Sequence, residues 1–214
     1  MKIIQIVLLI YISTIQLPSQ EWTNYDLKDL NLDSRALYDL DIDSQQNIWL
    51  ASLGGLLNFD GQDWTVYNSL NSDLPENNLF SVGISREDNV WVGYNGGGIE
   101  KGLAIYDGQT WKEYNNNNSK FNPSSIREIV FDKNDNPWFG VHNFLWTFQI
   151  GSWTQIKHNN EGDNSIDANV FEVEVDKNND IWFTTSNDGL FKYSNGKLSR
   201  HININPYYYD GLAI

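Results

Sequence analysis

Asp43-Ser44-Gln45-Gln46-Asn47-Ile48-Trp49-Leu50-Ala51-Ser52 leads through Gly54-Gly55-Leu56-Leu57-Asn58-Phe59-Asp60-Gly61 to Trp64-Thr65-Val66-Tyr67, and this stretch decides the fold. Apolar and polar residues alternate with period two in short runs, and each run ends at a polar or glycine-bearing turn, the pattern of a β-meander. Four strands are predicted, at roughly 37–42, 48–52, 55–59 and 64–67, here named a, b, c and d. The a–b turn is polar, and Asp60-Gly61 places glycine where a c–d turn needs positive φ.

The stretch then repeats. Trp49, Trp91, Trp138 and Trp182 follow one another at intervals of 42, 47 and 44 residues. Trp22, Trp64, Trp111 and Trp153 form a second series at 42, 47 and 42, so eight of the nine tryptophans are periodic. An apolar residue stands seven places before each tryptophan of the first series: Ile42, Ile84, Phe131 and Val175. A period in the forties with four strands per unit is the signature of radially stacked blades, and no stretch beyond the N-terminal segment has convincing helical periodicity. The fold class predicted is all-β, a β-propeller of four-stranded antiparallel blades. About four blades are present, in a ring expected to be incomplete.

Composition narrows the function. Nine Trp, eleven Tyr and ten Phe in 214 residues suit sheets, and 40% hydrophobic content is ample for a core. A net charge of −14 repels phosphate backbones, so nucleic acid is not an expected partner. The absence of cysteine excludes disulfides, a thiol nucleophile, cysteine-ligated metal and N-terminal cysteine acylation. Met1-Lys2 and the apolar run Ile3 to Ile15 read as a secretory signal peptide, residues 1–19, too short to span a bilayer. Cleavage leaves no membrane span and a charge of −15 on an exported chain, periplasmic or extracellular.

The pattern of strand, Asp-x-x-x-Asn-x-Trp, Gly-Leu-x-x-Phe/Tyr-Asp-Gly and Trp-x-x-Tyr resembles the two-component regulator propeller repeats over about residues 22–214. Two departures are His142-Asn143-Phe144 in the third unit, where a glycine pair is expected, and Leu198 in place of the fourth d-strand tryptophan. The resemblance implies an exported sensor that binds a ligand such as an oligosaccharide and works with a signalling partner. Any kinase activity would lie in a further C-terminal portion. A secreted interaction or adhesion propeller is the alternative, and a propeller hydrolase or lyase the less favoured one.

Spacing locates the loops. The distance from b-strand to d-strand tryptophan is 15, 20 and 15, so five extra residues lie in the second unit's b–c connection, Tyr94 to Gly102. The last d–a connection, around Asn159 to Asp167, gains two. Up-and-down order puts b–c and d–a connections on one face, and variable loops on a constant scaffold are where repeat proteins build binding surfaces. The candidate ligand-binding residues there are Tyr94, Asn95, Glu100, Lys101, His142, Asn143, Asn187 and Asp188. Arg127 joins them because it takes the strand-a place held by Tyr38, Phe80 and Phe171, where a charge faces the central channel or is costly to bury.

Asp132 to Asn136 and Asp176 to Asp180 imitate half a calcium loop but lack its glycine and terminal glutamate, so hairpin turns are predicted there and no metal site is assigned. The three histidines are scattered, no acid/base pair stands out, and no catalytic residue or cofactor is assigned. Trp146, the off-register tryptophan, is expected to pack in the core. Units of about 36–68, 78–115, 125–157 and 169–203 leave an orphan outer strand at 22–25 and the start of a further blade at 208–214. On this reading the chain is expected to be part of a larger ring.

Overall fold

The structure is a computed structural model, described here for residues 30, 32, 36–95, 101–121, 126–141, 144–156, 169–186 and 189–202. Those residues form four antiparallel sheets of four strands each. The first holds β1 (Leu37–Ile42), β2 (Ile48–Ser52), β3 (Gly55–Phe59) and β4 (Trp64–Tyr67), the bounds expected from the alternation. The second holds β5 (Leu79–Ile84), β6 (Val90–Asn95), β7 (Lys101–Tyr106) and β8 (Trp111–Asn115). The third is β9 (Ile126–Phe131), β10 (Pro137–Val141), β11 (Phe144–Gln149) and β12 (Ser152–Ile156). The fourth is β13 (Val170–Val175), β14 (Ile181–Thr185), β15 (Gly189–Ser194) and β16 (Lys197–Ile202). Each sheet pairs its strands in chain order and none closes on itself, which is the architecture of four propeller blades.

The repeated aspartate explains the a–b turn. Asp43 accepts from the backbone N–H groups of Gln45 and Asn47, the Asn47 amide and the Trp49 indole, all within 3.0 Å. Asp132 and Asp176 cap their turns in the same way and accept from Trp138 and Trp182. These carboxylates are committed to hairpin turns, as the reading of the two calcium-like segments anticipates. The fourth residue of each turn adopts positive φ: Gln46, Asp88, Asp135 and Asn179. At the c–d turns Asp60 accepts from the N–H groups of Gln62 and Asp63, Asp107 from those of Gln109 and Thr110, and Gly61 and Gly108 supply φ of 94° and 90°.

The core lies between blades. Trp49, Ala51 and Leu56 of blade 1 pack against Val82, Val90, Val92 and Ala104 of blade 2. Trp91 and Leu103 meet Ile129 and Phe139 of blade 3, and Trp138 and Leu145 meet Val173 and Phe183 of blade 4. Leu74 and Phe121, from two d–a connections, are buried in these seams, and Phe121 stacks on Trp153 at 4.5 Å between centroids. Trp146 is buried against Phe121, a packing role as expected.

Candidate ligand-binding site

Every strand a carries one residue too many for its partner. The pairing shifts register between Leu37 and Asp39, between Leu79 and Ser81, opposite the step from Phe139 to Val141, and between Val170 and Val173. A β-bulge re-aims the extra side chain, and the residues in these four bulges include Tyr38, Phe80, Arg127 and Phe171. All four line one cavity of about 630 Å³, together with Glu172 and Thr184. Tyr38 and Phe80 lie with ring centroids 4.8 Å apart, and the Arg127 guanidinium sits 5.1 Å from the centre of the Phe171 ring. Arg127 therefore lines this cavity with its guanidinium against an aromatic face.

Carboxylates from three blades feel one another across the channel. Burial pushes Glu128 up to about 8, and the charges of Asp39, Glu172, Glu174 and Asp41 add to the effect. Burial also raises Asp39, although the N–H groups of Val82 and Leu40 hydrogen-bond to it and pull the other way. The cavity thus combines aromatic faces, one guanidinium and hydrogen-bonding oxygens above an acidic channel.

A second cavity of about 610 Å³ is lined by Pro75, Tyr94, Lys101, Glu113 and Asn115 to Asn117. Tyr94 is buried and its hydroxyl donates to Glu113. The hydroxyl lies where a Cβ on Gly102 would sit, so glycine is required there. The second unit's insertion extends its b–c hairpin to the pair Asn95–Lys101, whereas blade 1 turns after Ser52–Gly55. Asn115 to Asn118 form a hydrogen-bonded d–a corner that repeats the one at Asn68 to Asn71. Both cavities are built at the b–c and d–a end of the blades.

Of the sequence candidates, Tyr94 and Lys101 line this second cavity, Asn95 ends β6 beside it, and Arg127 lies in the first. Glu100, His142, Asn143, Asn187 and Asp188 fall outside the described residues. Sequence reasoning missed Asp39, Glu128 and Thr184. Asp39, Ser81, Glu128 and Glu172 stand ten places before the four tryptophans, and three carboxyls at one inner-strand register was the available signal.

No family model matches the chain and no curated protein matches it. Among solved structures it is similar to one described as the extracellular domain of the hybrid two component system BT3049 from B. thetaiotaomicron, with TM-score 0.61, 22% identity and 73% of this chain matched to 21% of that one. The corresponding domain of BT4673 from B. thetaiotaomicron gives TM-score 0.63 and 19% identity over 84% of this chain and 24% of the other. Virginiamycin B lyase from Staphylococcus aureus gives 0.60 and 17%, covering 79% and 57%. At these identities the likeness establishes the propeller fold. The chain spans between a fifth and a quarter of the length of the two sensor domains. Among the described residues no helix is long and apolar enough to cross a membrane, and the sensor neighbours are extracellular domains.

Proposed function

We propose that this chain is the ligand-binding part of an exported sensor propeller and that it takes an oligosaccharide at the channel mouth. The observation that carries the reading is the convergence of Tyr38, Phe80, Arg127 and Phe171 on one cavity. Sugars present apolar ring faces edged with hydroxyls, and aromatic surfaces beside a few fixed polar groups are the complementary lining. Tyr38 is 49% exposed, an aromatic face available to such a ligand. The resemblance of the repeats to two-component regulator propellers and the likeness to extracellular sensor domains support the same assignment. Output then rests with a signalling partner, and the chain itself performs no chemistry.

The test is calorimetry or a glycan array with the purified chain, the Arg127→Ala and Tyr38→Ala variants, and Lys101→Ala as the control in the second cavity. Binding that weakens at least tenfold in the first two and persists in the third supports the channel site. Failure to bind any sugar, together with capture of a defined envelope protein, overturns the sensor reading in favour of an interaction propeller. Turnover of a substrate would favour an enzyme, the class of the lyase that shares the fold.

A further inference from the structure

Blade 2 departs from the repeat at several places that meet in one cavity. Where the b strand ends, blades 1 and 4 carry a small hydroxyl that closes its own hairpin: Ser52 donates to the Gly55 carbonyl at 2.7 Å and Thr185 to that of Gly189 at 3.2 Å. Blade 2 has Tyr94 there, and its hydroxyl passes over Gly102 of β7 to donate to Glu113 of β8. Glu113 takes the place of Val66, and Lys101 that of Gly54, because Tyr94 pairs with Gly102 as Ser52 pairs with Gly55. In the d–a corner Asn116 and Asn117 stand where blade 1 has Ser69 and Leu70.

Each change puts a charge or a hydrogen-bonding group into the cavity of about 610 Å³. Blade 2 packs against blade 1 on one side and blade 3 on the other, so the cavity belongs to the interior of the repeat. Tyr94 is 3% exposed and offers no ring face to a ligand, but its hydroxyl fixes one oxygen of the Glu113 carboxylate. The second Glu113 oxygen, the Lys101 ammonium and the side-chain amides of Asn116 and Asn117 have no hydrogen-bond or ion-pair partner among the described residues. Asn115 and Asn118 hold the corner itself, through the N–H groups of Asn117 and Asn115 and the Glu113 carbonyl. Glu113 lies opposite Ala104, three residues along β7 from Lys101, which sets the two charged residues about 10 Å apart along the strand.

We infer that this cavity binds a short free peptide, a di- or tripeptide, with its terminal ammonium at Glu113 and its terminal carboxylate at Lys101. A carboxylate and an ammonium held apart in one cavity are complementary to a ligand with one charge of each sign at its two ends, joined by charge-assisted hydrogen bonds. Extended chain advances about 3.3 Å per residue, so a di- or tripeptide spaces its end charges about 7–10 Å apart, whereas a single amino acid carries both on one carbon. Asparagine amides offer a donor and an acceptor each, the complement of the peptide groups between those ends. The volume falls within the roughly 300–1,000 Å³ of small-molecule sites. This site is separate from the aromatic channel cavity and does not rest on the sugar reading.

Calorimetry on the full chain with a panel of di- and tripeptides built from glycine, alanine, serine and leucine tests this. At least one member binds the wild type, N-acetylation and C-terminal amidation each weaken it about tenfold, and free amino acids and neutral sugars do not compete. Glu113→Gln, which keeps an acceptor for the Tyr94 hydroxyl, and Lys101→Met each weaken the uncapped peptide about tenfold and leave the circular dichroism spectrum intact. The pairing of ends is the decisive readout: the N-acetylated peptide binds Glu113→Gln as it binds the wild type, and the amidated peptide binds Lys101→Met as it binds the wild type. No binding by any member at about 10 mM, capping that leaves wild-type affinity unchanged, or a neutral sugar displaced from this cavity by Lys101→Met overturns the proposal. A sugar that binds at the channel while no peptide binds overturns this site alone and leaves the proposed function standing.

Discussion

The Trp49 indole donates to Asp43 Oδ2 at 3.0 Å, tying the residue that packs into the blade 1–blade 2 seam to the residue that shapes the a–b turn. One carboxylate thereby organises a turn and orients the largest side chain of the seam. Burial would raise the Asp43 carboxyl, but hydrogen bonds from Trp49, Asn47 and Gln45 outweigh it and hold it below the usual range.

Asp43→Ala therefore leaves buried donors unpaired and destabilises the chain by about 2–4 kcal/mol in urea titration, a magnitude expected of several lost charge-assisted bonds. Asp43→Asn keeps an acceptor and costs less. Asp60→Ala, at an exposed c–d turn, gives a much smaller loss. Because the Asp43 carboxyl is held low, its contribution is present above pH 4 and disappears as the pH falls through its folded value. Equal losses for Asp43→Ala and Asp60→Ala would contradict this account of the motif.

Glycines at the seams and at the turns respond differently to a methyl group. A Cβ on Gly93 would lie 2.5 Å from the Ser81 hydroxyl and 2.7 Å from the Ile126 Cβ, inside the contact between blades 2 and 3. Gly93→Ala is expected to cost about 1–3 kcal/mol through overpacking. Gly61 has open space around it and φ of 94°, so Gly61→Ala carries only a backbone penalty of about 1 kcal/mol. Thermal midpoints of the two variants separate the mechanisms, and an equal or smaller drop for Gly93→Ala would refute the packing argument.

The channel sets a pH dependence. The Glu128 carboxyl rises from an ordinary 4.5 to about 8, so between those values the folded chain binds more protons than the unfolded one. Stability falls with rising pH through that window, and the favourable contribution is fully lost above it. Glu128→Gln removes the dependence: the variant matches the wild type near pH 5 and exceeds it at pH 9 by roughly 1–2 kcal/mol, after allowing for solvent screening in the open channel. Parallel stability curves for the two proteins across pH 5–9 would show that burial and the neighbouring carboxylates do not raise the Glu128 carboxyl.

The blades were legible because their determinants are local. Two-residue alternation, the Asp-x-x-x-Asn-x-Trp turn and the glycines of the c–d turns act within one hairpin, and the strands of the first unit begin and end where the alternation places them. That Tyr94 and Lys101 line one cavity and Arg127 another follows signals in the linear chain, the loop spacing and the exceptional residue in a repeated column. The four bulges were not legible, since register depends on how two strands pair around a turn and not on either strand alone.

By itself, then, the sequence determined an all-β chain of four repeated sheets, the turn chemistry of each and the end of the blades where the variable loops gather. Tertiary structure decided which residues meet. It turned Tyr38, Phe80, Arg127 and Phe171, about 40 residues apart in the repeat, into the lining of one cavity, and it left Leu40 exposed while burying Val82, Ile129 and Val173. The reason is physical: a repeat writes the same residue into every blade, but burial and electrostatic coupling belong to the neighbour across the seam or the channel, and that neighbour exists only once the blades are stacked.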